Sequence, residues 1–438
     1  MKHLFLAILF LAAHHIFAQE FSQAKMDSLF DAIAQNNKGM GSISIFKEGQ
    51  EVYAHAFGYA DVDNEVAANV GTKYRIGSIS KTFTATIVMK LVEQGKLSLS
   101  TPLSIFFPQF KNADKITIEM LLRHRSGIFN FTNADDYASW MEKPISKKEL
   151  VDKMVKYGID FEPDSRSEYS NSNYVLLTYI AEIVESKLFN EMLQDYICKP
   201  CGLNDTYYGG KITVKNNEAK SYLGLDGWQP ATETDMTVPA GAGAIVSTAS
   251  DLNRFLYCLF NHKILAASTV KQMMEIKDQY GLGMFIAPFY ERKAYGHTGG
   301  IDGFQSRAFY FVDDKVAVSY LSNGVFLPLN DILIGALSIY FGKEYKIPDF
   351  KPVAQPMLED LQKYTGVYST TSFPLKLTIF VEGEKLMAQG TGQPAFALEA
   401  TGPNTFKFDP AALTIEFDPE NRMLILKQSG MRFEMKKE

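Results

Sequence analysis

The sequence predicts an α+β protein: one large domain whose antiparallel sheet draws strands from both of its ends, then a small antiparallel β domain. Three observations carry this. Strand patterns occupy Gly41 to Phe46 and Glu51 to Phe57, and return at Leu282 to Ile286, Phe304 to Val312 and Val316 to Leu321. Between them, from about residue 100 to 260, the chain is mostly helix and loop. After a segment with three prolines, Glu344 to Pro356, short alternating strands recur to the end. Strands first and last with helices between suit a sheet carrying a helical insertion.

In chain order, Phe21 to Asn36 reads as an amphipathic helix, and the first two strands meet at a turn at Glu48-Gly49-Gln50. Ser78 to Gln94 is helical and Gly95 stops it. Further helices are expected at Thr117 to Arg123, Lys147 to Tyr157, Ser172 to Leu188, Phe189 to Ile197, Ala249 to Leu259 and Asp331 to Tyr340. Beyond the proline segment, strands are expected at Leu375 to Val381, Lys385 to Gln389, Phe396 to Glu399, Thr405 to Phe408, Leu413 to Phe417, Met423 to Lys427 and Arg432 to Met435. The resulting division is a leader at 1–18, a main domain at 19–343, a linker at 344–358 and a β-meander or barrel at 359–438.

The 46% hydrophobic and 21% charged composition is that of a folded globular protein. A formal charge of −6 gives no electrostatic reason to expect nucleic acid as a partner. Met1-Lys2-His3 followed by the apolar run Leu4 to Ala13 reads as an export signal ending at Ala18, too short to span a bilayer. A periplasmic or extracellular protein is expected. Cys198-Lys199-Pro200-Cys201 is a CxxC. It reads either as a redox pair or, with Cys258, as cysteines filling small apolar positions. His55, His124, His262 and His297 show no close metal-ligand spacing, so no metal site is expected.

Four SxxK matches occur, at Ser22, Ser44, Ser78 and Ser268. Ser44 and Lys47 fall on a strand, where i and i+3 point to opposite faces. Ser78 follows Gly77 at a loop-to-helix junction, and its helix is strongly apolar (Phe83, Ile87, Val88, Leu91). There Lys81 shares a helical face with Ser78 and can reach its hydroxyl. A serine is a poor nucleophile until a neighbour takes its proton, and a lysine does so once its pKa is lowered. Of 22 tyrosines only Tyr169 has asparagine two positions on, in Tyr169-Ser170-Asn171. A phenol next to a lysine ammonium can ionise and relay a proton to the leaving group, and Asn171 can bind a substrate amide. Ser170 or Asn171 is also placed to cap the following helix. His297-Thr298-Gly299-Gly300 combines a possible positive charge, a hydroxyl and a glycine N–H. A charged His297 would make activity fall as pH rises through roughly 6 to 7.

Taken in order, SxxK, YxN and the His-Thr-Gly triplet resemble the serine β-lactamase and penicillin-binding superfamily. The chain is most similar to its class C β-lactamase and D-alanyl-D-alanine carboxypeptidase branch, the peptidase S12-like group. Tyr74 to Gly77, Leu121 to Ile128, Pro239 to Gly243, Ser247 to Leu252 and Tyr280 to Gly283 look like the same branch, over about residues 25 to 340. The resemblance implies a β-lactamase/transpeptidase-like fold and an acyl-enzyme on Ser78, with Lys81 and Tyr169 sharing the proton. It also implies an oxyanion held by the Ser78 and Gly300 N–H groups, a substrate subsite at Asn171, His297, Thr298 and Gly299, and no cofactor. The substrate expected is a small peptide, amide or ester. The residues alone leave three readings: a hydrolase, an acyltransferase on the same scaffold, and a non-catalytic penicillin-recognising binder.

The chain departs from that pattern in places. His297 stands where the β-lactamases usually carry lysine, which points towards peptidase or esterase relatives. Glu162-Pro163-Asp164-Ser165 replaces a common Pro-Gly turn, and Arg123-His124-Arg125 reads as a solvated or substrate-facing loop. Tyr364 to Tyr368 and the strands after it are similar to the lipocalin-like β domains appended to some of these hydrolases.

Overall fold

The computed structural model describes residues 21–225, 227–350, 356–408, 411, 413–428 and 431–438. The leader expected at 1–18 and the centre of the expected linker lie outside the described residues. Helix α1 (Gln23–Gln35) starts at Ser22, whose hydroxyl accepts the N–H of Lys25. That use makes one accidental SxxK match a helix cap. α1 buries Met26, Leu29, Phe30 and Ile33, one face at helical spacing. Strands β1 (Gly39–Lys47) and β2 (Gln50–Phe57) follow as a hairpin.

The insertion contributes α2 (Ser80–Glu93), α3 (Lys147–Tyr157), α4 (Asn171–Glu185) and α5 (Ala249–Phe260), among shorter turns. The chain then returns to the sheet through β3 (Phe285–Phe289), β4 (Arg292–Ile301), β5 (Phe304–Phe311) and β6 (Val316–Val325), and closes with α6 (Leu329–Tyr340). The sheet order is β3-β4-β5-β6-β1-β2, antiparallel throughout. Strands from the start and the end of the domain therefore meet at the β6–β1 pair, as the sequence pattern requires.

Two cores sandwich this sheet. Ile43 and Ile45 of β1 join Phe30 of α1 and Ile332 of α6 on one face. On the other face, the alternating positions Ser42 and Ser44 are buried beneath the insertion. Small residues let α5 come close. Its fully buried Asn253 donates to the Ser44 carbonyl at 2.8 Å and hydroxyl at 3.0 Å, and accepts from the Ser319 hydroxyl at 2.8 Å.

Two strand expectations need correction. Leu282 to Ile286 is not a strand. Gly283 has φ +77°, and its backbone lies against Lys81 and Ala85 of α2, so extended pairing starts only at Phe285. β4, which carries the His-Thr-Gly triplet, was not expected as a strand, because Gly296, Gly299 and Gly300 remove the alternation that marks one. The helix expected from Phe189 to Ile197 stops at Leu193 and continues as a π turn over Gln194–Cys198. The CxxC is not a bonded pair: Cys198, Cys201 and Cys258 are free and buried, and Cys201 meets the Cys258 thiol.

The C-terminal strands form a closed eight-stranded up-and-down barrel: β7 (Gly366–Ser369), β8 (Leu377–Glu382), β9 (Lys385–Gly390), β10 (Phe396–Gly402), β11 (Thr405–Phe408), β12 (Leu413–Asp418), β13 (Met423–Gln428) and β14 (Met431–Lys437). β7 was not expected as a strand. It closes the ring by pairing Tyr368 with Lys437. The barrel has its own core, including Tyr364, Leu386, Phe406, Ile415 and Leu426.

Replacing Asn253 with alanine strands the Ser44 and Ser319 partners in a dry layer, and should lower unfolding stability by about 2–4 kcal/mol. Chemical denaturation of the two proteins measures this, and an unchanged midpoint would refute the stapling role.

Candidate active site

The turn that presents Ser78 is set by glycine. Gly77 has φ +52°, and a side chain there would sit within 2.9 Å of the Gly300 backbone. A 3-10 turn at Gly77–Ile79 runs directly into α2, leaving Ser78 half-exposed at its mouth. N–H groups in such an opening turn have no intrahelical acceptor and stay available to an anion. The Ile76 N–H donates to the Ile245 carbonyl at 3.0 Å, and the Ile76 carbonyl accepts from the Ser306 hydroxyl at 2.8 Å, fixing the turn from both sides.

Lys81 lies one helical turn further on and has no solvent exposure. Its Nζ is 2.8 Å from Ser78 Oγ, 2.7 Å from Asn171 Oδ1 and 2.9 Å from the Ala242 carbonyl. Burial without a carboxylate partner holds its pKa well below that of an ordinary lysine. The geometry suits the neutral amine. Its two N–H bonds satisfy the two oxygens that only accept, and its lone pair faces the Ser78 hydroxyl.

The Tyr169 hydroxyl is 2.7 Å from Ser78 Oγ. Its ring lies under the Lys81 amine, with the nitrogen 4.8 Å from the ring centroid. Burial raises the Tyr169 pKa above the usual tyrosine value, and the Ser78 hydrogen bond only partly offsets this. The phenol therefore stays protonated, contrary to the expectation of an ionised tyrosine. Asn171 opens α4, and neither it nor Ser170 caps that helix through a side chain. Its amide is held on both sides: Oδ1 on Lys81, and Nδ2 on the Thr132 hydroxyl at 3.1 Å.

β4 brings the third motif to the same place. Gly299 is packed so closely that a Cβ would lie 2.0 Å from the Ile76 carbonyl, so glycine is what lets the strand reach the nucleophile's turn. Thr298 is partly exposed and Gly300 exposed beside it. His297 is buried and not charged. Burial lowers its pKa to about 3. Its Nδ1 contacts the Thr298 carbonyl, which can only accept, so Nδ1 carries the proton. Burial therefore disfavours the charged histidine expected from the sequence, and with it the basis for a fall in activity between pH 6 and 7.

A cleft of about 480 Å³ opens over Ser78, lined on its far side by Phe131, Tyr137, Met141, Pro239 and Phe304. Among the described residues lining it there is no lysine or arginine. Arg75, which reaches the lining residues Asp302 and Thr234 from beneath, is used by Asp302 and Glu233, each at 2.9 Å, and by the Thr234 and Gly210 carbonyls. The structure thus gathers Ser78, Lys81, Tyr169, Asn171, His297, Thr298, Gly299 and Gly300 at one site. The motifs gave no sign of the Ala242 carbonyl on Lys81, although the Pro239 to Gly243 run was the signal that a tight backbone turn lay nearby. Arg123, His124 and Arg125 are buried, not solvated or substrate-facing. Arg123 bonds Glu119 and the Tyr280 carbonyl, while Arg125 bonds Asp164 and Asp278. Asp164 takes φ +64°, the left-handed region that favours glycine, and its ion pair with Arg125 holds it there.

An antiparallel sheet with a helical insertion, and a serine, lysine and tyrosine converging at its edge, define the scaffold of the penicillin-recognising serine hydrolases. The Beta-lactamase family model matches residues 26–333, and the chain belongs to that family of serine hydrolases. It is 25% identical over 421 residues to penicillin-binding protein 4* of Bacillus subtilis (strain 168), covering 90% of this chain and 93% of that one. Its structure is similar to D-amino acid amidase from Ochrobactrum anthropi SV3 (27% identity, TM-score 0.65, 72% of this chain and 97% of that one). It is also similar to an octameric penicillin-binding protein homologue from Pyrococcus abyssi (25% identity, TM-score 0.68, 94% and 99%), a match that extends over the barrel. Among the described residues no helix is long and apolar enough to cross a membrane.

Gly299→Ala should push β4 off the nucleophile's turn and cut Ser78 acylation by about 10²-fold, since displacements near 1 Å at such sites cost that much. Acylation rates with an active-site serine probe, beside a denaturation curve showing a folded protein, measure this; an unimpaired rate would mean that the close approach is incidental.

Proposed function

We propose that this chain hydrolyses amide bonds of amino-acid amides and short peptides through an acyl-enzyme on Ser78. The observation that carries the reading is the Lys81 amine, desolvated and 2.8 Å from the Ser78 hydroxyl, with its other two partners both acceptors. Lys81 takes the Ser78 proton as Oγ bonds to the substrate carbonyl carbon. The Ser78 and Gly300 N–H groups receive the resulting oxyanion. Tyr169 gives its proton to the leaving nitrogen as the C–N bond breaks, and the lysine's extra proton restores the phenol. Water then attacks the ester carbonyl by the same path in reverse, with Ser78 Oγ as leaving group. Asn171, with Thr298, binds the substrate's own amide groups. Gly299 keeps β4 against the turn, and neutral His297 fills the place behind it without adding charge.

The cleft narrows the substrate class. A free carboxylate on the leaving side needs a cation, and the described lining offers none. Neutral leaving groups suit it better, so amides and esters are favoured over C-terminal carboxylates and over β-lactams. The likeness to a D-amino acid amidase supports the amide chemistry. We also read Met1 to Ala18 as an export signal, 19–343 as the hydrolase unit and 359–438 as an appended barrel that acts outside the cytoplasm with it.

Intact-protein mass after exposure to a fluorophosphonate should show one adduct, absent from Ser78→Ala; no adduct on the unmodified chain would end the reading. In the same preparation, kcat/KM for amino-acid amides should exceed that for the matching dipeptides with a free terminus by at least about 10-fold, as expected for a carboxylate left without a cation in a cleft whose described lining includes Asp302 and no lysine or arginine. The reverse order would mean that a carboxylate receptor exists.

The pH profile gives a second check. Lys81 works as the neutral amine, so activity is lost as pH falls through its lowered pKa. Tyr169 works protonated, and its raised pKa puts any alkaline loss above the usual tyrosine value of about 10. The rate should therefore be level or rising from about pH 6 to 9. A decline across that interval would mean that a protonated histidine is required after all.

A further inference from the structure

We infer that His124 is the positioning residue for Tyr169, holding its phenol on Ser78; this rests on the reading of Tyr169 as the proton carrier. Tyr169 sits on an irregular stretch ahead of α4, so no strand ladder or helix sets its position. The residues on both sides of it are tied to His124 instead. The Glu168 N–H donates to the His124 carbonyl at 2.8 Å, and the Ser170 N–H donates to His124 Nδ1 at 3.1 Å. Between these two bonds the imidazole lies against the tyrosine ring, centroids 4.5 Å apart at 32°. Tyr280 and Tyr174 close around the imidazole at 4.9 and 5.2 Å.

His124 makes all three contacts at φ +56°, a left-handed conformation that few residues other than glycine adopt, although histidine, asparagine and aspartate do so more often than most. Its neighbours hold it there. Arg123 is tied to Glu119 and the Tyr280 carbonyl, Arg125 to Asp164, and Ser126 donates to Asn173 Oδ1 at 2.6 Å. Because Nδ1 accepts an N–H bond, the imidazole is neutral with its proton on Nε2. Burial keeps it in that form. A neutral ring suits this place: a cation there would favour ionisation of the phenol that must carry a proton.

A double-mutant cycle on the full chain, reading kcat and KM with an amino-acid amide, tests this. His124→Ala should lower kcat about 10²-fold, the usual scale for a displaced catalytic group, while KM moves less than about threefold. His124→Asn tolerates the same backbone conformation and offers Oδ1 near the Nδ1 position. It should recover at least about tenfold of the loss. In a Tyr169→Phe background, His124→Ala should cost less than about threefold more, because its effect runs through the missing phenol. Equal losses in both backgrounds, or a folded His124→Asn no better than alanine, would overturn the positioning role alone. A fully active Tyr169→Phe enzyme would overturn the reading of Tyr169, and this inference with it.

Discussion

The site depends on one desolvated amine. Lys81 is fully buried, and its nitrogen collects Ser78, Asn171 and the Ala242 carbonyl from three separate stretches of chain. A charged ammonium is expensive to bury without a carboxylate, so burial lowers the Lys81 pKa and favours the neutral amine beside the serine. Everything around it serves that state. Two acceptors satisfy its N–H bonds, and the aromatic face of Tyr169 covers it. His124 and His297, the two histidines that pack against Tyr169, are both held neutral by burial.

The fold exists to bring those stretches together. α2 carries Ser78 and Lys81 from the insertion, α4 begins immediately after Tyr169, and β4 brings the His-Thr-Gly triplet from the far end of the domain. Glycines at 77 and 299 remove the side chains that would keep the helix turn and the strand apart. The sheet then fixes β4 through its pairing with β5, where Thr298 faces Arg307 and Gly299 faces Ser306. Ser306 in turn holds the Ile76 carbonyl, so the register of one strand pair sets the position of the nucleophile's turn. The barrel keeps a core of its own and touches the hydrolase unit through contacts such as Lys38 with Glu399.

Much of this was legible in the sequence. Apolar periodicity located α1, α3, α5 and most barrel strands within a residue or two, because each buries one face and repeats accordingly. SxxK at a glycine-to-helix junction and a single YxN singled out Ser78, Lys81 and Tyr169 once their order matched the family's motifs. Features built from glycine or from backbone atoms were not legible. β4 lacks alternation, β7 is a four-residue strand that matters only because it closes a ring, and the Ala242 carbonyl has no side-chain signature.

Residue type and local period are written along the chain, so the sequence by itself determined the large domain with its appended β unit and the candidate serine, lysine and tyrosine that the fold brings together. Protonation state was decided only by the tertiary structure. His297 reads as a cation in isolation and is neutral in place, and Arg123 and Arg125 read as a basic loop and are spent on internal partners. Tyr169 reads as an ionisable relay and is a protonated donor. Burial and the charge of neighbours distant in sequence set a pKa, and those quantities exist only once the chain has folded.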